Sequence, residues 1–245
     1  MKLLSFIFFF LISISGFSQK LKSITEDNYD LFCRSEYTVL KKDKTVKHGR
    51  YRSVYVNGNP REEGYYHFGK KDSLWTYFHH SKPIMSSRGY YEDGKKVGIW
   101  DYFDEKEQSR HRYDHSTGVL YYTTFKDTAS SHTVRISSDS ILESKVTRPP
   151  IFLLGEKAQL RIIRNNIVYP SEAIELNLFG TVNVQFFVNI YGEAIDYKVT
   201  QSVGGGCDEE ALRVVKLIPN EWIPGIYNNE LKEMLVMIPI TFVLN

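Results

Sequence analysis

Residues 180–188 read Gly180-Thr181-Val182-Asn183-Val184-Gln185-Phe186-Phe187-Val188. Val182, Val184, Phe186 and Val188 recur at every second position, and a strand turns such residues to one face. The residues between them are mostly polar, so the segment is predicted as a strand with one side against a core. Tyr191-Gly192-Glu193 supplies a turn, and Ala194–Val203 returns as the antiparallel partner. Ala211-Leu212-Arg213-Val214-Val215-Lys216-Leu217 then reads as a helix ended by Pro219. Asp208 is predicted as its N-cap, with Glu209 and Glu210 in the first turn, where the helix dipole favours acids. Leu235–Leu244 is a last apolar strand. Upstream, Ala158, Leu160, Ile162 and Ile163 form a helical stripe within residues 157–166, closed by Tyr169-Pro170 because a residue before proline avoids the α region. Ser171 is predicted to cap a second short helix that turns Ile174 and Leu176 inward. The order helix, helix, strand, strand, helix, strand specifies an α+β unit with a three-stranded antiparallel sheet and short helices.

The first half repeats itself. Gly64-Tyr65-Tyr66-His67-Phe68-Gly69-Lys70-Lys71-Asp72-Ser73-Leu74-Trp75-Thr76-Tyr77-Phe78 returns 25 residues later as Gly89-Tyr90-Tyr91-Glu92-Asp93-Gly94-Lys95-Lys96-Val97-Gly98-Ile99-Trp100-Asp101-Tyr102-Phe103. A fixed period of this size marks a stacked array. Asp93-Gly94 and Asn57-Gly58 are two-residue hairpin signals, and the flanking aromatics favour strands. Each unit is a hairpin too small to fold alone, so neighbours stack into a shared β-meander. Eroded copies flank the two clear ones, at His48-Gly49-Arg50-Tyr51 and around Tyr113–Tyr122. Between this array and the α+β unit, residues 126–147 lose their aromatics and fill with Ser and Thr, and Pro149-Pro150 follows. This stretch reads as a connector, with His132–Ile136 as one candidate edge strand.

Residues 1–18 read as a secretory signal peptide: Lys2, an apolar Leu3–Ile14, then Gly16-Phe17-Ser18. Cleavage there delivers the chain to the periplasm; retention instead leaves a short inner-membrane anchor. The net charge of +2 on 245 residues gives no global field to recruit nucleic acid. Residues 151–245 carry 7 Lys and Arg against 11 Asp and Glu, so the basic excess lies in the first part. Export permits a disulfide between Cys33 and Cys207, although their separation in the chain favours two separate thiols.

Catalytic chemistry finds little footing. His79-His80 point to opposite faces of a strand, and His111 and His115 stand four apart without a cysteine nearby, so no metal set closes. Gly204-Gly205-Gly206 before a helix resembles a phosphate cradle, but Asp208, Glu209 and Glu210 oppose an anion and also oppose a thiolate at Cys207. No histidine follows residue 132. The chain is therefore expected to be a binding protein, not an enzyme, with no cofactor and no metal.

The series Tyr169-Pro170-x-x-Ala173, Gly180-x-Val182-x-Val184-x-Phe186-x-Val188, Gly192, Ser202, Asp208-Glu209-Glu210-Ala211-x-Arg213-Val214-Val215, Trp222-x-Pro224-Gly225 and Ile238-Pro239-Ile240-x-Phe242 runs in one order over about residues 148–245. It resembles the TonB C-terminal domain family. Residues 48–122 resemble MORN-type repeats of the form Gly-Lys-x-x-Gly-x-Trp-x-Tyr-Phe. The resemblances imply four parts: a signal peptide at 1–18, a MORN-like β-repeat region at 19–125, a connector at 126–147 and a TonB-C-like domain at 148–245. The TonB-C resemblance further implies β-strand addition of a short extended segment, the TonB box of outer-membrane transporters, in TonB-dependent transport. Its receiving edge would be Val236, Met237, Ile238, Pro239, Ile240, Thr241 and Phe242, with Tyr169 and Pro170 beside the incoming segment. Pro239 lacks an N–H and suits an edge strand. Inner-membrane motor components and a second copy of the chain are the other partners implied. A TonB energy transducer carries a retained anchor and a Pro- and Lys-rich spacer. Here the apolar start is short and repeats stand in the spacer's place, which leaves an envelope adaptor or scaffold without energy transduction as the alternative.

Overall fold

The computed structural model describes residues 20–28, 33–80, 82–126 and 131–244; the expected signal peptide lies outside them. The chain forms two compact units, one running to Pro83 and including Tyr90–Lys96, the other holding Ile84–Gly89 and everything from Val97.

In the first unit β1 (Leu21–Asn28), β2 (Cys33–Leu40), β3 (Lys47–Tyr55), β4 (Pro60–His67) and β5 (Lys70–Phe78) each pair antiparallel with the next, in a meander consistent with hairpin repeats. Tyr51 stands opposite Gly64, and Tyr66 opposite Lys71. The repeat motif has a steric meaning. The Trp75 ring is fully buried and lies against Gly64, where any Cβ would overlap it. Its indole N–H donates to the Tyr65 carbonyl at 2.9 Å. The Lys71 ammonium sits 4.0 Å over the Trp75 ring, and Lys47 sits 4.6 Å over Tyr37 and 5.1 Å over Tyr51. Each such contact contributes about 0.5–1 kcal/mol where water reaches it. The turns stack as well: the Gly69 N–H donates to the Lys47 carbonyl at 2.8 Å and the Gly94 N–H to the Lys71 carbonyl at 2.9 Å. Lys70 pairs with Asp93 at 2.6 Å. Asp93 and Gly94 have φ of 51° and 84°, the paired positive values of the hairpin turn expected there.

The boundary between the units falls within β6 (Met85–Glu92) and β7 (Lys95–Phe103). In the second unit Trp100 covers Gly89 just as Trp75 covers Gly64. β7, β8 (Ser109–Asp114) and β9 (Leu120–Thr123) continue in sequence order. His111 lies on β8, a strand, so its four-residue separation from His115 is not a helical one.

The rest of this unit comprises β10 (His132–Ser137), β11 (Ser140–Ser144), β12 (Ile151–Phe152), α1 (Glu156–Asn166), α2 (Ser171–Glu175), β13 (Gly180–Val188), β14 (Ala194–Gln201), α3 (Cys207–Val215), β15 (Trp222–Ile223), β16 (Gly225–Tyr227), β17 (Glu230–Lys232) and β18 (Met234–Phe242). The helices and the antiparallel trio β14-β13-β18 match the expected order. Nine consecutive pairs, Gly180↔Phe242 through Val188↔Met234, join β13 to β18. Val182, Val184, Phe186 and Val188 all face the core, where Ala211, Val214 and Val215 of α3 and Ile163 of α1 meet them. Trp222 closes one end, 4.9 Å from the Phe152 ring and 5.5 Å from the Phe186 ring.

Three expectations need correction. The sheet has five strands, ordered β11-β10-β18-β13-β14, not three. The Ser- and Thr-rich residues 132–144 supply the extra hairpin; only Val134 is buried there, so alternation gave no signal. Arg135 anchors this hairpin, paired with Glu233 at 2.9 Å and Asp196 at 2.7 Å and stacked 3.8 Å over the Phe187 ring. Asp208 is not the N-cap of α3. That place falls to Gly206 at φ 82°, and Asp208 instead accepts from the Ser202 hydroxyl and from the Val203 N–H at 3.0 Å. Gly204, Gly205 and Gly206 all hold positive φ, a tight loop that L side chains resist. Nor does Ser171 cap α2, since Pro170 occupies the N-cap position, and Ile174 and Leu176, expected inward, are exposed while Ala173 is the buried residue of that helix. Cys33 and Cys207 are both buried free thiols.

The Gly64→Ala variant is expected to lose about 1–3 kcal/mol of stability, because the added methyl must displace the Trp75 ring. Urea titration followed by tryptophan fluorescence checks this; an unchanged midpoint with an unshifted emission maximum would remove the steric role assigned to Gly64.

Candidate functional site

β18 is bonded along its length to β13 on one side, while on the other it meets β10 at a single pair, Val134↔Met234. The direction of its free groups follows from one bond. The Arg135 N–H donates to the Glu233 carbonyl at 2.9 Å, which turns Glu233 outward, toward β10. The N–H and C=O of one strand residue point the same way and alternate along the strand. Met237, Pro239 and Thr241 therefore present their backbone groups outward, and the residues paired with Val182, Val184 and Phe186 turn theirs to β13. Pro239 falls at an outward position, where its missing N–H costs β13 nothing. Among the described residues, no strand pairs with this edge beyond Met234.

Two adjoining grooves run along that edge. One, of about 580 Å³, is lined by Pro239, Ile240 and Thr241 and by Lys157, Leu160, Arg161, Ile163, Arg164 and Ile167, with Glu105 at its rim. The other, of about 410 Å³, takes Val236, Met237, Ile238 and Pro239 together with Arg110, His111, Phe125, Phe152 and Trp222. α1 forms the facing wall. Its placement is fixed from below by Ile163, buried in the core, and at its end by Arg213 of α3, which donates to the Asn166 carbonyl at 2.6 Å. Arg213 also pairs with Glu210 at 2.7 Å and holds that carboxyl below the usual carboxylate range, while Glu210 accepts the Val168 N–H at 2.6 Å.

The expected site residues divide. Ile238, Ile240 and Phe242 are buried in the core, Val236 is half-buried, and Met237, Pro239 and Thr241 are exposed. Tyr169 packs its ring edge-on at 5.4 Å against Phe242 and donates its hydroxyl to the Leu178 carbonyl at 2.6 Å. Burial raises that phenol above its ordinary value. Pro170 backs onto Gly206. Neither Tyr169 nor Pro170 lines the two grooves. The residues missed from sequence are those of the facing wall. Lys157, Arg161 and Arg164 stand at i, i+4 and i+7, a spacing that puts them on one helix face and was available to be read.

Burial pushes the Cys207 thiol up, and Asp208 and Glu209 add to the shift, so no thiolate is favoured there. Among the described residues no group of three His, Cys, Asp or Glu is placed to hold a metal. No helix among them is long and apolar enough to cross a membrane.

His111 is 2% exposed and its Nδ1 lies 2.9 Å from the Thr123 hydroxyl. Burial, helped by the charge of Arg110, lowers its pKa from 6.5 to about 4. The folded pKa is depressed, so above pH 6.5 the neutral ring costs nothing. As pH falls from 6.5 toward 4 the unfolded chain takes a proton that the folded one refuses, and stability drops. The linkage relation puts that loss at about 2.5 kcal/mol by pH 4.5. Urea unfolding at pH 7.5 and pH 4.5 is expected to show a clearly smaller acid loss in His111→Gln than in the parent chain. An equal loss in both would assign the acid sensitivity elsewhere.

Comparison with curated proteins finds no match. Residues 165–244 match the family model described as the Gram-negative bacterial TonB protein C-terminal, a span that runs from the end of α1 through β18. The match supports assigning this segment as a TonB C-terminal domain.

Proposed function

We propose that the C-terminal domain is a protein-binding module that receives an extended segment of an outer-membrane TonB-dependent transporter as an added strand on the outer edge of β18. The observation that carries this reading is the run of outward backbone groups at Met237, Pro239 and Thr241, unpaired among the described strands and opening on two grooves. Such an edge is a template for pairing, and main-chain bonds to an incoming strand supply affinity while alternate pockets supply selectivity. The family match supports a role in TonB-dependent transport in the cell envelope, and a binding role agrees with a buried, unactivated Cys207. The first-half meander is read as a MORN-like contact platform, in which the tryptophans are core and the outer faces of the strands meet partners. The hairpin of residues 132–144 folds onto the sheet instead of extending as a spacer, which favours an adaptor within the envelope over a transducer spanning it.

Strand addition makes a residue-level forecast. A synthetic TonB-box peptide is expected to slow hydrogen exchange at the Met237 and Thr241 amides and to leave the Ile238 and Ile240 amides unchanged, since β13 already holds those. Met237→Pro removes an outward donor and is expected to weaken the peptide by roughly tenfold, the worth of about one hydrogen bond or slightly more. Protection confined to β14 or β11, with full affinity in Met237→Pro, would move the binding edge away from β18.

A further inference from the structure

The edge of β18 is apolar and uncharged, whereas the wall it faces is not. Met234–Phe242 contains no ionisable side chain. Across the groove α1 presents Lys157, Arg161 and Arg164, interleaved with Leu160 and Ile163, and Ile167 follows at its C-cap. Lys157 and Arg164 are exposed and make no ion pair among the described residues, and Arg161 has Glu105 at 3.7 Å. The second groove adds Arg110 and one carboxylate, Glu156. Three cations on one helix face, lining one groove against a single carboxylate, Glu105, leave a net positive field that an uncharged peptide does not offset.

Resting on the strand-addition reading, we propose that the segment taken up by this groove is acidic on the side that faces α1, with carboxylates two residues apart alternating with apolar or small residues on the opposite side. The dimensions agree. Lys157 to Arg164 spans about 10 Å of helix axis. Same-face positions of a strand recur every ~6.8 Å, so two or three carboxylates fit within the stripe. The strand's backbone meets Met237, Pro239 and Thr241, its helix-side acids meet the three cations, and Leu160 and Ile167 cover the apolar stems between them. A second copy of this chain does not meet the requirement through β18, because that strand carries no carboxylate to offer.

The test uses the full-length chain and two blocked heptapeptides, one alternating Glu with Val and the other alternating Gln with Val, titrated by fluorescence anisotropy at low and at physiological salt. The Glu peptide is expected to bind roughly tenfold more tightly than the Gln peptide at low salt, with the gap narrowing as salt rises, as partly exposed ion pairs do. The double variant Lys157→Glu/Arg164→Glu changes two exposed groove positions and is expected to lose that preference, binding the Glu peptide no more tightly than the Gln peptide. Equal binding of both peptides, unchanged in the double variant, overturns the acidic specificity and leaves strand addition standing. Binding of neither peptide, with no protection of the Met237 amide, overturns strand addition and the specificity together. A chain that is dimeric through β18, losing the dimer in Met237→Pro and admitting neither peptide, overturns the proposal in favour of self-pairing.

Discussion

The C-terminal domain depends on the pairing of β13 with β18. Nine consecutive residue pairs fix one register, and that register settles which side chains of both strands enter the core. A slip by one residue would carry Val182, Val184 and Phe186 to the outer face and bring Asn183 and Gln185 inside. α3 and α1 pack on the face so defined, and Trp222 seals its end against Phe152 and Phe186. The same pairing spends the backbone groups of β18 on one side and leaves those of Met237, Pro239 and Thr241 on the other. The core and the candidate binding edge are thus two consequences of one ladder.

A different constraint shapes the meander. Its aromatics cover one another and the backbone: the Trp75 ring lies 5.6 Å from Tyr51 and 5.2 Å from Tyr66, against Gly64. Glycine beneath each tryptophan makes that possible, with Gly64 under Trp75 and Gly89 under Trp100. Lysine ammonium groups over the rings and stacked turn glycines add the contacts between successive hairpins. The 25-residue period is the sequence image of this arrangement: Gly and Trp recur together because each tryptophan needs a glycine beneath its ring.

Legibility varied with how strongly a segment commits its side chains. β13 could be read because every second residue is apolar and buried. The meander could be read because its motif repeats. The β10–β11 hairpin could not, because it buries only Val134 and is held by the long-range pairs Arg135–Glu233 and Arg135–Asp196. Asp208 was misassigned for a related reason: acids before a helix usually cap it, but three consecutive positive-φ glycines redirect the chain, and the carboxylate ties down the loop instead. Tyr169, expected beside an incoming peptide, has its hydroxyl on the Leu178 carbonyl and its ring against Phe242, contacts that its place before Pro170 did not reveal.

The sequence by itself determined the three helices, the strands β13, β14 and β18, the buried face of β13, the repeat and the family resemblance, because these follow from local periodicity and from motifs a few residues long. Tertiary structure alone decided which backbone groups of β18 stay open and what faces them. That outcome depends on where β10 stops, on Glu233 turning outward to Arg135, and on α1 being held across the groove by Ile163 and Arg213. These are contacts between residues tens of positions apart, and no local pattern encodes them.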